Sequence, residues 1–174
     1  MGRRSAQADR RQREQLVRML AGGGAHLPAQ EVLSRFPVPL RGIKPRGAPH
    51  TPWQLLEHMR LAQWDILRFG LDPAHESPVW PDDYWPASAA PPDPRAWSRS
   101  VKAFLADLHA LRRIALDRER DLLAPLAHAP DATWLGELYL VASHNSYHLG
   151  QLELLRRALE AGRRRTGSAH SSPK

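Results

Sequence analysis

The sequence predicts an all-α protein, a four-helix up-and-down bundle with a proline- and tryptophan-rich loop between its second and third long helices. Three observations support this prediction. Apolar residues recur at helical spacing in four long stretches, the alternation typical of strands is weak throughout, and prolines and glycines separate the stretches.

The chain has 174 residues and no cysteine. It is therefore long enough to bury a core without disulfides, and it has neither thiolate metal ligands nor a cysteine nucleophile.

The first long helix is predicted over about residues 8–21, where the glycine run at 22–24 ends it. We expect one domain over residues 9–162, with basic disordered tails at 1–8 and 163–174. Residues 1–18 and 153–174 each carry a net charge of +4, whereas residues 19–152 carry −1, so the net charge of +7 comes from the two ends. Solvated ends account for this charge better than a nucleic-acid interface, because no stripe of basic residues alternates with aromatic ones.

A short helix near residues 28–35 and a proline-rich loop precede the second long helix. Thr51 as N-cap, Pro52 at the first helical position and Gln54 at the capping-box position predict its start. Gly70 at the C′ position is predicted to end it.

Six prolines between residues 78 and 94 exclude regular helix and central strand from the next segment. Trp80, Tyr84 and Trp85 lie in this segment, so we expect an ordered loop whose aromatic rings pack against the protein.

The third long helix is predicted to start after Asp93–Pro94 and to run to about residue 123. The fourth is predicted from about residue 131 or 133 to 161, with Gly162 as its stop. No apolar run is long enough to cross a bilayer and no signal segment is evident, so we expect a cytoplasmic protein without a membrane partner.

Two histidines of the fourth helix, His144 and His148, lie four residues apart and share one helix face. At about 100° per residue, Glu137, Gln151 and the apolar Leu140 fall on the same side, and we expect this face to point inward. Polar groups inside a bundle must be hydrogen bonded, hydrated or bound to a ligand. The pair is consistent either with a metal clamp or with two hydrogen-bonded core histidines.

The second helix places His58 on the same side as its apolar stripe, so a third imidazole is expected to point inward. Three histidines from two helices can hold one divalent transition metal, zinc, nickel or iron, with positions left for water or substrate. Glu137 and Gln151 are candidates for orienting these ligands or lining the pocket, and Glu137 is also consistent with a general base or a carboxylate favoured by the helix dipole. The remaining histidines are expected to be ordinary residues outside the site, and His109 on the third helix is the lesser candidate for lining it. They are His26, His50, His75, His109, His128 and His170.

Two stretches, PHTPWQLLEHMRLAQWDILRF at 49–69 and VASHNSYHLGQLELLRRAL at 141–159, are joined by PVWPDDYWP at 78–86. Together they resemble the DinB-like family of small four-helix bacterial proteins, which is distinct from the lesion-bypass polymerase of the same name. The resemblance covers about residues 10–162, and its HNxYHxGQ pattern is more specific than a bare histidine pair.

The resemblance implies a four-helix bundle, often a homodimer, with a divalent metal held by His58, His144 and His148. It also implies the activity of some relatives, which transfer a low-molecular-weight bacterial thiol to an electrophile or isomerise thiol adducts. Ser143 and Gly136 depart from the family pattern, in which these positions are often acidic or charged, and so the pocket is expected to differ in detail.

The residues and the resemblance are consistent with three functions. The first is a metal-dependent enzyme, foremost a thiol-dependent transferase acting on a small molecule, in which the metal would activate the thiol. The second is a metal-dependent hydrolase, in which a metal held by the same histidines would activate a water molecule. A non-catalytic stress-response protein would bind metal or ligand without turnover. The catalytic residues stay unassigned.

Overall fold

The computed structural model describes residues 3–169, with side chains for residues 6–164. The helices are α1 (Arg3–Ala21), α2 (Ala29–Ser34), α3 (Pro52–Leu71), α4 (Ala96–Leu116) and α5 (Trp134–Ala169). Single 3₁₀ turns lie at Val38–Leu40 and Asp82–Tyr84, and a small antiparallel hairpin joins β1 (Pro125–Leu126) to β2 (Ala129–Thr133).

Four long helices, α1, α3, α4 and α5, pack around one apolar core. The main contacts of α1 are with α4 and α5, and α3 packs on the same two helices. The short α2 also packs against α4 and α5, and Trp97 of α4 donates a hydrogen bond to the carbonyl of Leu33 across that contact. The predicted mostly helical fold is confirmed.

The start of α3 follows from local chemistry and matches the sequence prediction. Thr51 accepts a hydrogen bond from the backbone N–H of Gln54, and the Gln54 side chain accepts one from the backbone N–H of Thr51. Thr51 also donates to the carbonyl of Ala89 at 2.6 Å. The cap therefore fixes both the helix start and part of the proline-rich loop above it.

Gly70 does not end α3, which continues to Leu71 with Asp72 as C-cap. A Cβ on Gly70 would lie 2.4 Å from the indole ring of Trp134. The glycine is therefore needed for close packing of α3 against the start of α5 and not for a left-handed turn.

Several predicted boundaries are wrong. The helix α4 ends at Leu116 and not near residue 123, and the buried Arg13 binds the carbonyl groups of Ala115, Asp117 and Arg120 where the chain leaves the helix. The helix α5 continues through Gly162, and α1 already starts at Arg3. The rest of the expected tails, residues 1–2 and 170–174, lies outside the described residues.

The hairpin at 125–133 was not predicted, because its strands are too short to show alternation. Leu126 is buried, and the backbone N–H of Leu135 donates to the carbonyl of Leu122, which holds the hairpin against the start of α5. Between residues 3 and 169, no helix combines the length and apolar character required to span a membrane.

Candidate metal centre

Three histidines meet between α3 and α5. Potential ligand nitrogens of His58, His144 and His148 all lie within 4.8 Å of one another. The Nε2 atoms of His58 and His144 are 3.0 Å apart. His58 is 2% exposed and His148 is 7% exposed, whereas His144 is half-buried. The cluster is therefore largely buried, and His144 is its most exposed member.

Hydrogen bonds at Nδ1 orient two of the rings. His58 Nδ1 lies 3.2 Å from the carbonyl oxygen of Tyr84, and His148 Nδ1 lies 2.7 Å from Oε1 of Gln151. A neutral imidazole that donates through Nδ1 keeps its lone pair on Nε2. Both rings can therefore offer Nε2 to a shared ligand, the arrangement in which metal-binding histidines are usually held.

Burial keeps these imidazoles uncharged near neutral pH. It lowers the pKa of His58 to about 4, with a further contribution from His148. It likewise lowers the pKa of His144 to about 4, and the two other histidines of the cluster add to this effect. The pKa of His148 is lowered by burial as well. Neutral imidazole is the form that binds metal, so no proton has to leave these rings at pH 7.

An aromatic stack covers the cluster. The Trp85 ring lies parallel to that of His58, with centroids 3.9 Å apart, and its other face stacks on His50 at 3.7 Å. Tyr147 touches His148 edge-on. Trp85 thus shields His58 from water, as expected for a loop aromatic that packs against the protein, whereas Trp80 stays 65% exposed.

A buried carboxylate fixes the loop that binds His58. Asp65, two turns after His58 on α3, accepts hydrogen bonds from the Tyr84 hydroxyl at 2.6 Å and from His75 at 2.7 Å. Burial and the Asp65 contact raise the pKa of Tyr84 above its ordinary value, so the phenol stays protonated and donates. Asp65 therefore holds the Tyr84 carbonyl in place against His58.

The inward face of α5 is centred elsewhere than expected. Its buried residues lie around Asn145, whose amide donates to Gln63 at 2.8 Å, and Leu140 is 50% exposed. The pair His144 and His148 therefore lies at the edge of the buried face and not in its middle. This displacement leaves His144 partly exposed.

Glu137 is half-buried and makes no hydrogen bond to any of the three histidines. Burial raises its pKa, and the charge of Asp65 raises it further. Ser143 and Gly136, the departures from the family pattern, are exposed. Ser143 bonds back to the carbonyl of Leu140, and Gly136 donates to the Thr133 side chain at the start of α5.

Sequence reasoning missed most of the surroundings of the cluster. His50 stacks on Trp85, and His75 binds Asp65, although both were expected to be ordinary loop residues. His26 forms a hydrogen bond with the Ser146 hydroxyl, and His128 forms one with the carbonyl of Phe69. His109 is exposed on the outer face of α4. The signal that was available is the concentration of three aromatic residues in a proline-rich loop.

The donor set fits a divalent transition metal. Two nitrogens bound to one zinc ion at about 2.0–2.1 Å lie roughly 2.9–3.4 Å apart, and the Nε2 atoms of His58 and His144 are 3.0 Å apart. The ligand nitrogen of His148 lies within 4.8 Å of the other two, so this ring has to move closer to share one ion with them. Three protein ligands would leave positions for water or substrate. Compared with protein-family models, with curated proteins and with solved structures, the chain has no significant match.

Proposed function

We propose that this protein binds one divalent transition metal, zinc, nickel or iron, through His58, His144 and His148 and belongs with the DinB-like four-helix bundles. The convergence of three uncharged imidazoles carries this proposal. The HNxYHxGQ pattern on α5 and the TPWQLLEHM start of α3 support the family assignment, since both motifs contribute to the cluster.

We further infer an enzyme acting on a small molecule, foremost a transferase for a low-molecular-weight thiol. A bound divalent metal lowers the pKa of a thiol or water molecule that it coordinates. The chain has no cysteine, so the thiol must come from a substrate. The protein's own part is to hold three nitrogens in place, to orient two of them through Tyr84 and Gln151, and to exclude water from His58 with Trp85.

The half-buried edge of α5 supports catalysis over a purely structural metal. A structural site is closed by four protein ligands, whereas this cluster offers three among the described residues, and one of them, His144, is only partly buried. Hydrolysis by a metal-activated water would use the same residues and is the second candidate.

Thiol transfer can be tested on protein loaded with zinc, nickel or iron. We expect loss of a low-molecular-weight bacterial thiol in the presence of monobromobimane, above the uncatalysed rate, in the loaded wild type and not in His144→Gln or chelator-treated protein. Hydrolysis of 4-nitrophenyl acetate in the same samples, without thiol transfer, would support the hydrolase instead. A loaded protein inactive in both assays would contradict the enzyme assignment.

A further inference from the structure

A cavity of about 430 Å³ lies beside the histidine cluster, between the loop at 45–50 and α5. His50 and Gln151 form its wall on the side of the cluster. His50 stacks on Trp85, and Gln151 accepts a hydrogen bond from His148. The cavity is therefore separated from the candidate metal centre by only one layer of side chains.

Most of the cavity surface is apolar. Leu55 of α3 and Leu154, Leu155 and Ala158 of α5 supply the greater part of it. Leu154 is 67% exposed, so this surface meets water when the cavity is empty. The volume lies in the range of small-molecule sites, and an apolar ligand would remove this surface from water.

The rim of the cavity is positively charged. Arg46 is exposed and makes no hydrogen bond or ion pair with any described residue, and the exposed Lys44 lies two residues before it. No carboxylate lines the cavity. The nearest acidic side chains of α5, Glu153 and Glu160, are both paired with Arg156.

One polar group on the inner wall is also available. Gln151 uses its Oε1 atom to accept from His148, which leaves its amide N–H groups without a partner among the described residues. Arg46, His50 and Gln151 line the same cavity, so a ligand bound there can contact the charged rim and the wall next to the cluster.

We propose that this cavity binds an organic anion with an apolar body, such as a medium-chain carboxylate, with the anionic group at Arg46 and the apolar body on Leu154 and its neighbours. The assignment of this ligand as the substrate of the metal centre rests on the proposed function. Binding itself does not, because none of the three histidines lines the cavity.

Isothermal titration of chelator-treated protein with octanoate and with 1-octanol tests the proposal. We expect the wild type to bind octanoate more tightly than the alcohol. The variant Arg46→Gln should weaken octanoate binding about two- to fivefold and leave octanol binding unchanged, because an exposed ion pair is lost. The variant Leu154→Gln should weaken the binding of both ligands about three- to tenfold, because apolar contact is lost.

Arg11→Gln, at an exposed arginine of α1 far along the chain from this loop, is the matched control and should bind both ligands like the wild type. Circular dichroism of each variant checks the fold. Absence of saturable octanoate binding, equal affinity for acid and alcohol, or an Arg11 variant that behaves like the Arg46 variant would overturn the proposal.

The same titration on His144→Gln separates this proposal from the proposed function. If the wild type binds no metal but His144→Gln still binds octanoate, the cavity proposal stands and the metal centre is contradicted. Metal binding without octanoate binding would do the reverse.

Discussion

His58 and His148 are each held by a single hydrogen bond through Nδ1, and the two acceptors come from different kinds of group. Gln151 lies three residues from His148 on the same helix, so its proximity could be predicted from spacing. The Tyr84 carbonyl is a backbone atom 26 residues away in a loop, and nothing in the sequence indicates it. Residue types and spacing thus predict ligands and helical neighbours better than contacts made by a folded loop.

Gln151 is a positioning residue for His148, and its replacement should affect metal affinity more than stability. We expect Gln151→Ala to weaken zinc binding about 10- to 100-fold, the usual cost of losing the partner of a metal-bound histidine. Gln151→Glu keeps an acceptor for His148 Nδ1 and should retain most of the affinity. Competition with a chromophoric zinc chelator measures both values, and equal affinity in wild type and Gln151→Ala would contradict this role.

At the scale of helices, the sequence predicts where α3 starts but not why it contains Gly70. Capping chemistry is local, so Thr51 and Gln54 can be read directly from the chain. The contact between Gly70 and Trp134 joins residues from different helices. A glycine near a helix end therefore predicts a helix stop from sequence, although Gly70 serves packing.

Replacing Gly70 with alanine should destabilise the protein. The added Cβ meets the buried Trp134 ring, and overpacking of this kind costs about 1–3 kcal/mol, more than the gain in helix propensity. Gly150→Ala is the matched control, since a Cβ there meets no atom within 4 Å and should stabilise α5 by about 0.5–1 kcal/mol. Urea unfolding measures both, and a stabilised Gly70→Ala variant would contradict the packing account.

The displaced face of α5 has a similar origin. Periodicity centred on the histidines predicts Leu140 inside, but Asn145 lies at the centre of the buried face. Its amide donates to Gln63 of α3, which itself donates to the carbonyl of Phe104. A polar residue is held in the core when a residue on another helix pairs with it. Here the amide nitrogen of Asn145 is paired, whereas its Oδ1 atom has no partner among the described residues. That pairing cannot be seen along one helix.

For the whole molecule, the helical fold can be predicted from the sequence, whereas the pairs of helices that contact each other cannot. Apolar spacing indicates four long helices, but which pairs touch depends on contacts between distant segments such as Arg13 with the end of α4. The cluster itself spans 86 residues between His58 and His144. The cluster can be predicted from the sequence only if the inward faces of both α3 and α5 are identified approximately correctly.

The buried histidines should make the metal-free protein less stable in mild acid. Their pKa values in the folded state, about 4 for His58 and His144, lie below the value near 6.5 expected on unfolding. Between pH 6.5 and 4 the unfolded chain therefore binds more protons, and the free energy of unfolding falls as pH falls. Urea unfolding of chelator-treated protein at pH 7, 6 and 5 measures this decline.

The comparison for that experiment is the double variant His58→Gln/His144→Gln. It lacks these two titrating groups, so its free energy of unfolding should change less between pH 7 and 5. The same pH dependence in wild type and double variant would show that the buried histidines do not carry the effect.

The most direct test of the three-histidine centre is elemental analysis of tag-free protein after reconstitution with zinc, nickel or iron, beside His58→Gln, His144→Gln and the exposed control His109→Gln. We predict about one equivalent of metal in the wild type and in His109→Gln, and a sharp loss in the other two variants. Equal metal content in all four proteins, or a wild type that stays metal-free, would contradict the centre.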